Sequence, residues 1–462
     1  MKRSQHMTQQ GELDIDRLTT NRARAALAIK LIDEKIQGLL NEIIHHSKFQ
    51  QLEGAWRSLH LLCAESALSP KVRIRMLDAS WQDITKDISS TVEFDQTTLF
   101  RLVYTQEFGT PGGIPFGLLV GHYEVKHRSS HGRNDVETLR GIAEVSAAAF
   151  APFLCNAAPG LFGIDAFSEL YRLRDLAEIF DLKEYEHWNR SLRNLSDSRF
   201  IGICMPRVLL RRRYTRRQCA EKHLSFEECP SQHSGNNLCW GYASFAFAAI
   251  LIREFIRVGW FSHIRGAPRD SSHGGVVNQL PYPAVSSDAD TAFEINTDVR
   301  ITETQEKKLS ELGLIALHQS YAAQQSVFLS NPSIHRPPTS PNKISTANAN
   351  VGSMLQQILC ASRFAHHIKL MIRDKIGSLF TAEECQQLLE HWLKKYTSGR
   401  SDLDWEGRAR RPLKAYRVQV NERPDSTGHF ICHIDLQPHY HAEHILSELK
   451  LTTELVQMNA TS

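Results

Sequence analysis

Apolar positions near the start of the chain recur at helical spacing. Five of them follow alternating steps of 3 and 4 residues and therefore share one seam of a helix: Ile29, Ile32, Ile36, Leu39 and Ile43. Such a seam has to be covered by the helix's own domain or by a helix of a partner chain, and the spacing leaves both open. We predict an N-terminal helical segment over residues 1–62 whose five seam residues are candidate partner contacts.

Helical and strand patterns alternate along the rest of the chain without a strict βαβ repeat. The pattern predicts helices over residues 81–88, 98–107, 136–157, 238–258, 303–312, 353–377 and 381–396. It predicts strands over residues 72–77, 116–125, 199–205, 298–302, 314–319, 326–329, 414–421, 429–436 and 446–456. These elements indicate a mixed α/β (α+β), multidomain chain with mixed sheets flanked by helices.

One segment, residues 331–350, is rich in Pro, Ser, Asn and Thr and is predicted to be a linker. It separates a region of two α/β parts from a C-terminal region of helices and strands. The predicted divisions are residues 63–205, residues 206–330 with an inserted loop at 211–237, the linker, and residues 351–462.

Composition narrows the class of protein. The 462 residues are 42% hydrophobic and 23% charged, with a formal net charge of +3, and this balance argues against a nucleic-acid binder. The N-terminus has no apolar core of a secretory signal, and the longest apolar run, around residues 243–252, is about half of a bilayer span. The 9 cysteines form no CxxC pair. We expect a soluble, cytoplasmic protein that neither binds nucleic acid nor inserts into a membrane.

The motifs of common enzyme classes are missing from the sequence. No Gly-Lys dipeptide occurs, so a Walker A loop is excluded, and neither GxGxxG nor GxSxG is found. The glycine-rich stretch 109–113 precedes a strand and does not open a helix, so its amides would not converge on a phosphate. We therefore predict no catalytic residues and no cofactor.

Two clusters of reactive or charged side chains remain. Thiols and imidazoles recur in one stretch and are weak candidate zinc ligands, namely Cys219, His223, Cys229, His233 and Cys239. Their spacing is not that of the usual zinc fingers, so a surface loop is the favoured interpretation. The basic run 211–217 carries five arginines, for which contact with a protein or exposure to solvent is favoured over nucleic acid.

Short segments spread along the chain, in order, carry a family resemblance. They are residues 41–46 (NEIIHH), 49–53 (FQQLE), 56–57 (WR), 104–113 (YTQEFGTPGG), 151–153 (APF), 162–163 (FG), 197–202 (DSRFIG), 206–207 (PR), 238–241 (LCWG), 373–378 (RDKIGS), 410–413 (RRPL) and 437–439 (QPH). In these segments the chain resembles the large subunit of the contractile sheath of type VI secretion systems, the TssC or VipB family.

The resemblance implies a structural protein with a phage-tail-sheath-like fold. Family members pair with a small sheath subunit (TssB or VipA), and the pairs assemble with further copies into a helical cylinder around an inner tube of Hcp. Contraction of this bacterial, cytoplasmic cylinder, docked to an envelope-anchored baseplate, propels the tube. Neighbouring subunits exchange strands, and here the C-terminal candidates for this contact are Ile431, Ile434, Leu449 and Leu451.

The start of the chain departs from the family pattern. Family members carry several dozen residues before the segment that matches 14–36, including a helix recognised by the ClpV disaggregase, whereas only residues 1–13 precede it here. This puts ClpV in question as a partner. The alternative functions are a sheath-like adaptor or baseplate-associated paralogue that does not polymerise, and a zinc-binding protein.

Overall fold

A computed structural model describes the backbone of residues 2–110, 112–128, 134–173, 175–216, 226–228, 238–267, 273–282, 295–319, 325–338, 341–373, 381–400, 403–422, 429–439 and 449–456. The chain forms two compact units. The first comprises Met1–Arg57, Leu209–Trp240 and Pro281–Ala292; the second comprises Ser58–Val208, Gly241–Leu280 and Phe293–Ser462.

The first unit is dominated by helix. α1 spans Lys2–Ile44, and α2 (Ser47–Ser66) begins in this unit after a short break at His45 and His46. The predicted N-terminal helical segment is therefore confirmed as two helices in succession.

A six-stranded mixed sheet organises the second unit. Its strand order is β1-β2-β3-β7-β8-β6, with parallel pairing from β1 to β7 and antiparallel pairing beyond. The strands are β1 (Leu119–Val125), β2 (Phe153–Ala157), β3 (Ile201–Met205), β6 (Val276–Val277), β7 (Leu314–Gln319) and β8 (Ser326–Phe328). Every residue of β2 and β3 is buried, as expected for parallel strands covered on both faces.

Two smaller sheets complete the strand pairing in the described residues. β9 (Leu413–Glu422), β10 (His429–Pro438) and β11 (Leu449–Val456) form an antiparallel sheet with β10 in the centre. The predicted hairpin is confirmed, because β9 and β10 pair from Leu413 opposite Pro438 to Glu422 opposite Phe430. β4 (Arg207–Arg211) pairs with β5 (Cys239–Tyr242).

The remaining helices surround these sheets. The α-helices are α3 (Trp81–Ser89), α4 (Thr98–Phe100), α5 (Gln106–Phe108), α6 (Asp135–Ala149), α7 (Leu176–Phe180), α8 (Ala243–Val258), α9 (Glu303–Glu311), α10 (Lys343–Gly352), α11 (Leu355–Arg373), α12 (Ala382–Lys394) and α13 (Trp405–Arg410). Short 3-10 helices cover Phe94–Gln96, Pro159–Phe162, Phe167–Arg172, Lys183–Tyr185 and Ser196–Phe200, and π turns cover Arg101–Thr105 and Trp188–Arg193. No helix of the described residues has the length and hydropathy needed to cross a bilayer.

Side-chain caps explain where several helices begin. Ser80, Thr302 and Thr381 each accept a hydrogen bond from the backbone N–H three residues later. In each case the side chain at that third position accepts a hydrogen bond from the capping residue's own N–H, which completes a capping box. The capping box predicted at Thr381 is confirmed.

Two predicted helices are wrong at their ends, and burial explains the first of them. Residues 136–157 divide into α6 and β2, and residues 238–258 divide into β5 and α8. β2 is buried at all five positions, so its residues lack the alternation that distinguishes a strand from a buried helix. A continuous apolar run therefore concealed the change from helix to strand.

Two predicted strands are absent from the described structure. Residues 298–302 form no strand, because Thr302 serves instead as the cap of α9. Residues 72–77 form neither helix nor paired strand.

The predicted linker is partly interior. Asn331, Ser333 and Ile334 are buried, and the Ile334 N–H donates to the Ile201 carbonyl of β3. α10 occupies a further part of residues 331–350. At least one polar side chain of the predicted loop is hydrogen-bonded inside the unit, because the Ser333 hydroxyl donates to the Ser353 carbonyl at 2.6 Å.

A glycine in β3 tests the packing of α11 on the sheet. A Cβ at Gly202 would lie 2.4 Å from Leu355 Cδ1 and 2.7 Å from Leu154 Cδ2. We expect Gly202→Val to lower the free energy of unfolding by about 2–3 kcal/mol through overpacking. Denaturant unfolding followed by tryptophan fluorescence measures the change. Gly117→Ala, where a Cβ meets nothing within 4 Å, is the matched control. A Gly202→Val variant as stable as wild type would contradict this account.

Candidate interaction surfaces

The predicted seam of α1 is largely open to solvent. Ile29, Ile32, Leu39 and Ile43 are between 52% and 59% exposed, and Ile36 is half-buried. Apolar side chains continue along α2, where Leu52 and Trp56 are each 57% exposed. Because these side chains are already nearly half buried, covering the exposed part of one of them favours a complex by about 1 kcal/mol, and this surface as a whole favours association with another chain.

The break between α1 and α2 is held by a buried ionic network. The Arg211 guanidinium donates to Glu53 at 2.7 Å and to Glu228 at 2.5 Å. Arg57 also donates to Glu53, at 2.7 Å, and His45 Nε2 lies 3.2 Å from Glu228 Oε1. All five residues belong to the first unit, where they tie the helices to the segment after β4.

Burial strengthens this network and makes it intolerant of a missing partner. The side chains of Arg211, Glu53 and Glu228 are 7%, 11% and 1% exposed. Burial raises the pKa of each glutamate, but hydrogen bonds and charge from Arg211 outweigh it, and the net pKa of both is lowered. The Arg211 guanidinium also lies 4.2 Å from the centroid of the Tyr214 ring. Both carboxylates are therefore ionised at neutral pH, facing a single buried cation.

The basic run is thus divided between interior and surface. Arg211 is buried and paired, whereas Arg216 forms an exposed ion pair with Glu227 at 3.8 Å, and Arg217 lies outside the described residues. Sequence reasoning missed the interior role, because the two carboxylates that pair with Arg211 are 158 and 17 residues away.

The candidate zinc ligands do not form a described site. Cys219, His223, Cys229 and His233 lie outside the described residues. Cys239 is buried in β5, and burial, with the charge of Glu53, raises the pKa of its thiol to about 12. A raised pKa disfavours the thiolate that binds zinc. Among the residues that the structure describes, no His, Cys, Asp or Glu cluster could hold a metal ion.

The C-terminal candidates differ in accessibility. Ile431 is half-buried, whereas Ile434 is only 1% exposed and packs in the core between the C-terminal sheet and α11 and α12. The prediction that Ile434 contacts a partner is corrected: its side chain points into its own unit. Leu449 and Leu451 lie opposite Leu436 and Ile434 in the pairing of β10 with β11, but their side chains lie outside the described residues.

A caged lysine joins the segment 104–113 to α11. Lys369 Nζ lies 5.3 Å from the ring centroids of Tyr104 and Phe108 and 4.7 Å from that of Phe150. Burial lowers the pKa of Lys369, and the faces of the three rings stabilise its charge. Glu107, in the same segment, forms an ion pair with Arg75 and accepts from the Ile114 N–H at 2.8 Å. These sequence-matched residues therefore have structural roles.

Comparison with known proteins places these surfaces in a family context. Residues 26–335 match the sequence model described as VipB, "EvpB/VC_A0108, tail sheath N-terminal domain", and residues 344–455 match VipB_2, "tail sheath gpW/gp25-like domain". A curated relative from Pseudomonas aeruginosa, "Type VI secretion system sheath protein TssC1", is 34% identical over 431 residues, which cover 92% of this chain and 85% of that protein.

A solved structure gives a weaker likeness. The cryo-EM structure of the anti-feeding prophage baseplate is 12% identical, covering 69% of this chain and 66% of that chain, with a TM-score of 0.36. A TM-score of this size is too low to establish a shared fold.

The ionic network yields a test of the first unit. We expect Arg211→Met to destabilise this unit by about 3 kcal/mol, because two buried carboxylates lose the cation that they share and keep only Arg57 and His45 as further partners. Amide hydrogen exchange in the first turns of α2 measures the effect. Arg216→Met, which removes an exposed ion pair, is the control and should change exchange little. Equal protection in both variants would contradict a stabilising role for Arg211.

The same network has a defined pH dependence. Glu53 and Glu228 have folded pKa values below their ordinary value of 4.5, so their stabilisation is present above that pH and is lost as pH falls through the lower folded values. In wild type, protection of α2 should decline only in this acidic range. Protection that is independent of pH down to acid unfolding of the whole chain would exclude this contribution.

Proposed function

The chain belongs to the VipB tail sheath family and is a structural large subunit of a type VI secretion sheath, and from this premise we propose how it assembles. It pairs with the small sheath subunit, and the pairs form a helical cylinder around the Hcp tube. Contraction of the cylinder propels that tube. The observation that carries the proposal is the match of both sheath domains over residues 26–335 and 344–455.

The surface of α1 supports pairing with another chain. Four of its five predicted seam residues are more than half exposed, and the apolar surface continues into α2. We propose that Ile29, Ile32, Leu39 and Ile43 contact the small subunit, with Ile36 at the margin of the contact. On this basis the chain purified alone is prone to self-association.

The C-terminal sheet supports contacts between successive subunits. β11 and β9 are its two edges, and edge strands present main-chain groups that can pair with a strand from another chain. We propose that the β11 residues Leu449 and Leu451 take part in this exchange, and that Ile431 of the central strand β10 contacts a partner through its half-buried side chain. We also propose that the chain divides into domains near residues 62, 205, 330 and 350.

The mechanism needs no chemistry within the chain. We propose that it is not an enzyme, that it works in the bacterial cytoplasm on an envelope-anchored baseplate, and that the Hcp tube and baseplate are further partners. Two packed arrangements of rigid subunits can store and release work when the subunits slide between them.

Electron microscopy of the chain co-expressed with its small subunit tests the assembly. We expect hollow helical tubules, because the pair supplies both lateral and axial contacts. Formation of discrete particles only, with the small subunit bound, would contradict polymerisation and favour the adaptor alternative. Absence of any complex would contradict the pairing itself.

Truncation tests the C-terminal contact. Removing residues 446–462 deletes β11, and we expect the truncated chain to lose tubules while still co-purifying with the small subunit. Removing residues 457–462 alone spares β11 and is the matched control. Tubules of the 446–462 truncation, seen by negative stain, would show that β11 is dispensable for assembly.

A further inference from the structure

A strand-like segment follows α2 and has no strand partner in the described structure. In residues 72–75 burial alternates, with Val72 and Ile74 half-buried and Arg73 and Arg75 exposed. Met76 and Leu77 are 67% and 56% exposed. Alternating apolar and polar residues with β-branched side chains are typical of a strand, yet these residues belong to none of the sheets described above.

The main chain of this segment carries unused hydrogen-bonding capacity. Among the described residues, no backbone N–H from Val72 to Ala79 donates to a backbone carbonyl. The Ala79 carbonyl accepts from the Tyr123 hydroxyl at 2.5 Å. A row of such groups is the surface to which an extended chain adds most readily.

Side chains fix the segment beside an edge of the six-stranded sheet. Arg75 lies 5.4 Å from the centroid of the Phe116 ring, just before β1, and forms an ion pair with Glu107. Just after the segment, at the start of α3, Trp81 packs on Tyr123 of β1, with ring centroids 5.1 Å apart. β1 is the edge strand of its sheet. Contacts of Arg75 in the middle of the segment and of Ala79 and Trp81 after it therefore hold the segment before any partner arrives, which lowers the entropy lost when a strand binds.

We propose that residues 72–78 receive a β-strand from a partner chain. Main-chain hydrogen bonds to the added strand provide affinity and depend little on its side chains. The side chains at every second position along the strand then select the partner. Arg75 is already paired with Glu107, and the remaining cations Lys71 and Arg73 outnumber the single acid Asp78, so the incoming strand carries acidic residues on the positions that face them. This inference rests on the proposed function, because it commits to the small sheath subunit as the donor of the strand.

Hydrogen exchange in the purified wild-type complex tests the pairing directly. We expect amides of residues 72–78 to exchange at least about 100-fold more slowly than unprotected amides, as in a paired strand. Residues 91–93, where Val92 is 97% exposed, are the internal reference. Exchange of residues 72–78 as fast as that reference would overturn the proposal.

Proline substitutions test the main chain separately from charge. Successive N–H groups of a strand point to opposite edges, so Arg73→Pro and Met76→Pro remove a donor from each edge in turn. We expect at least one of them to reduce the recovered complex about tenfold relative to its matched alanine variant, Arg73→Ala or Met76→Ala, which removes the same side chain but keeps the N–H group. Both proline variants recovering as much complex as wild type would overturn the proposal.

The outcomes separate this inference from the function on which it rests. If wild-type chain forms no complex with the small subunit, the proposed pairing fails. If the complex forms but residues 72–78 exchange rapidly, only the strand proposal fails. If a proline variant is insoluble, the exchange result on the wild-type complex decides.

Discussion

Backbone hydrogen bonding at strand edges constrains this molecule more than any single side chain. A strand inside a sheet satisfies its N–H and C=O groups on both sides, as β2 and β3 do between their parallel neighbours. A strand at an edge satisfies only one side. β1 ends the large sheet, and β9 and β11 end the small one. A long sheath built from many subunits can use such edges, because the same main-chain geometry recurs in every copy.

In the first unit, buried ion pairs link segments that are distant in the sequence, whereas apolar packing links such segments in the second unit. Arg211 joins Glu53 of α2 to Glu228, and His45 at the start of the break approaches the same carboxylate. A buried ion pair adds little net stability over apolar packing, but it penalises any geometry in which one partner is missing. The network therefore ties His45 and α2 to Arg211 and Glu228, while the apolar seam of α1 stays available for contacts.

The sequence predicted those elements whose signals are local. Thr381 and Glu384 marked the start of α12, and the polar turn marked the hairpin of β9 and β10. It failed where tertiary context decides the structure. β2 lacks alternation because both faces are buried, and Ile334 is interior because its N–H pairs with β3.

The sequence predicted the apolar seam of α1 but not the ionic contacts of Arg211. The seam of α1 was evident because helical spacing is a local property, whereas the pairing of Arg211 with Glu53 joins residues 158 positions apart. Ile434 shows the limit of pattern reasoning, since a strand's alternation identifies two faces but not which one meets the strand's own helices. Burial against α11 and α12 settles that choice.

Closely packed units whose sheets end in edge strands, within the part of the chain that the structure describes, suit a contractile assembly. The large sheet is closely packed against α11, as the contact that a Cβ at Gly202 would make with Leu355 indicates, and close-packed interiors have low compressibility. Main-chain pairing between chains holds subunits together through a change in their relative orientation, because it depends on backbone geometry and little on side-chain fit. An assembly held together in this way can change the relative orientation of its subunits by rigid-body rotation while each unit keeps its own packing.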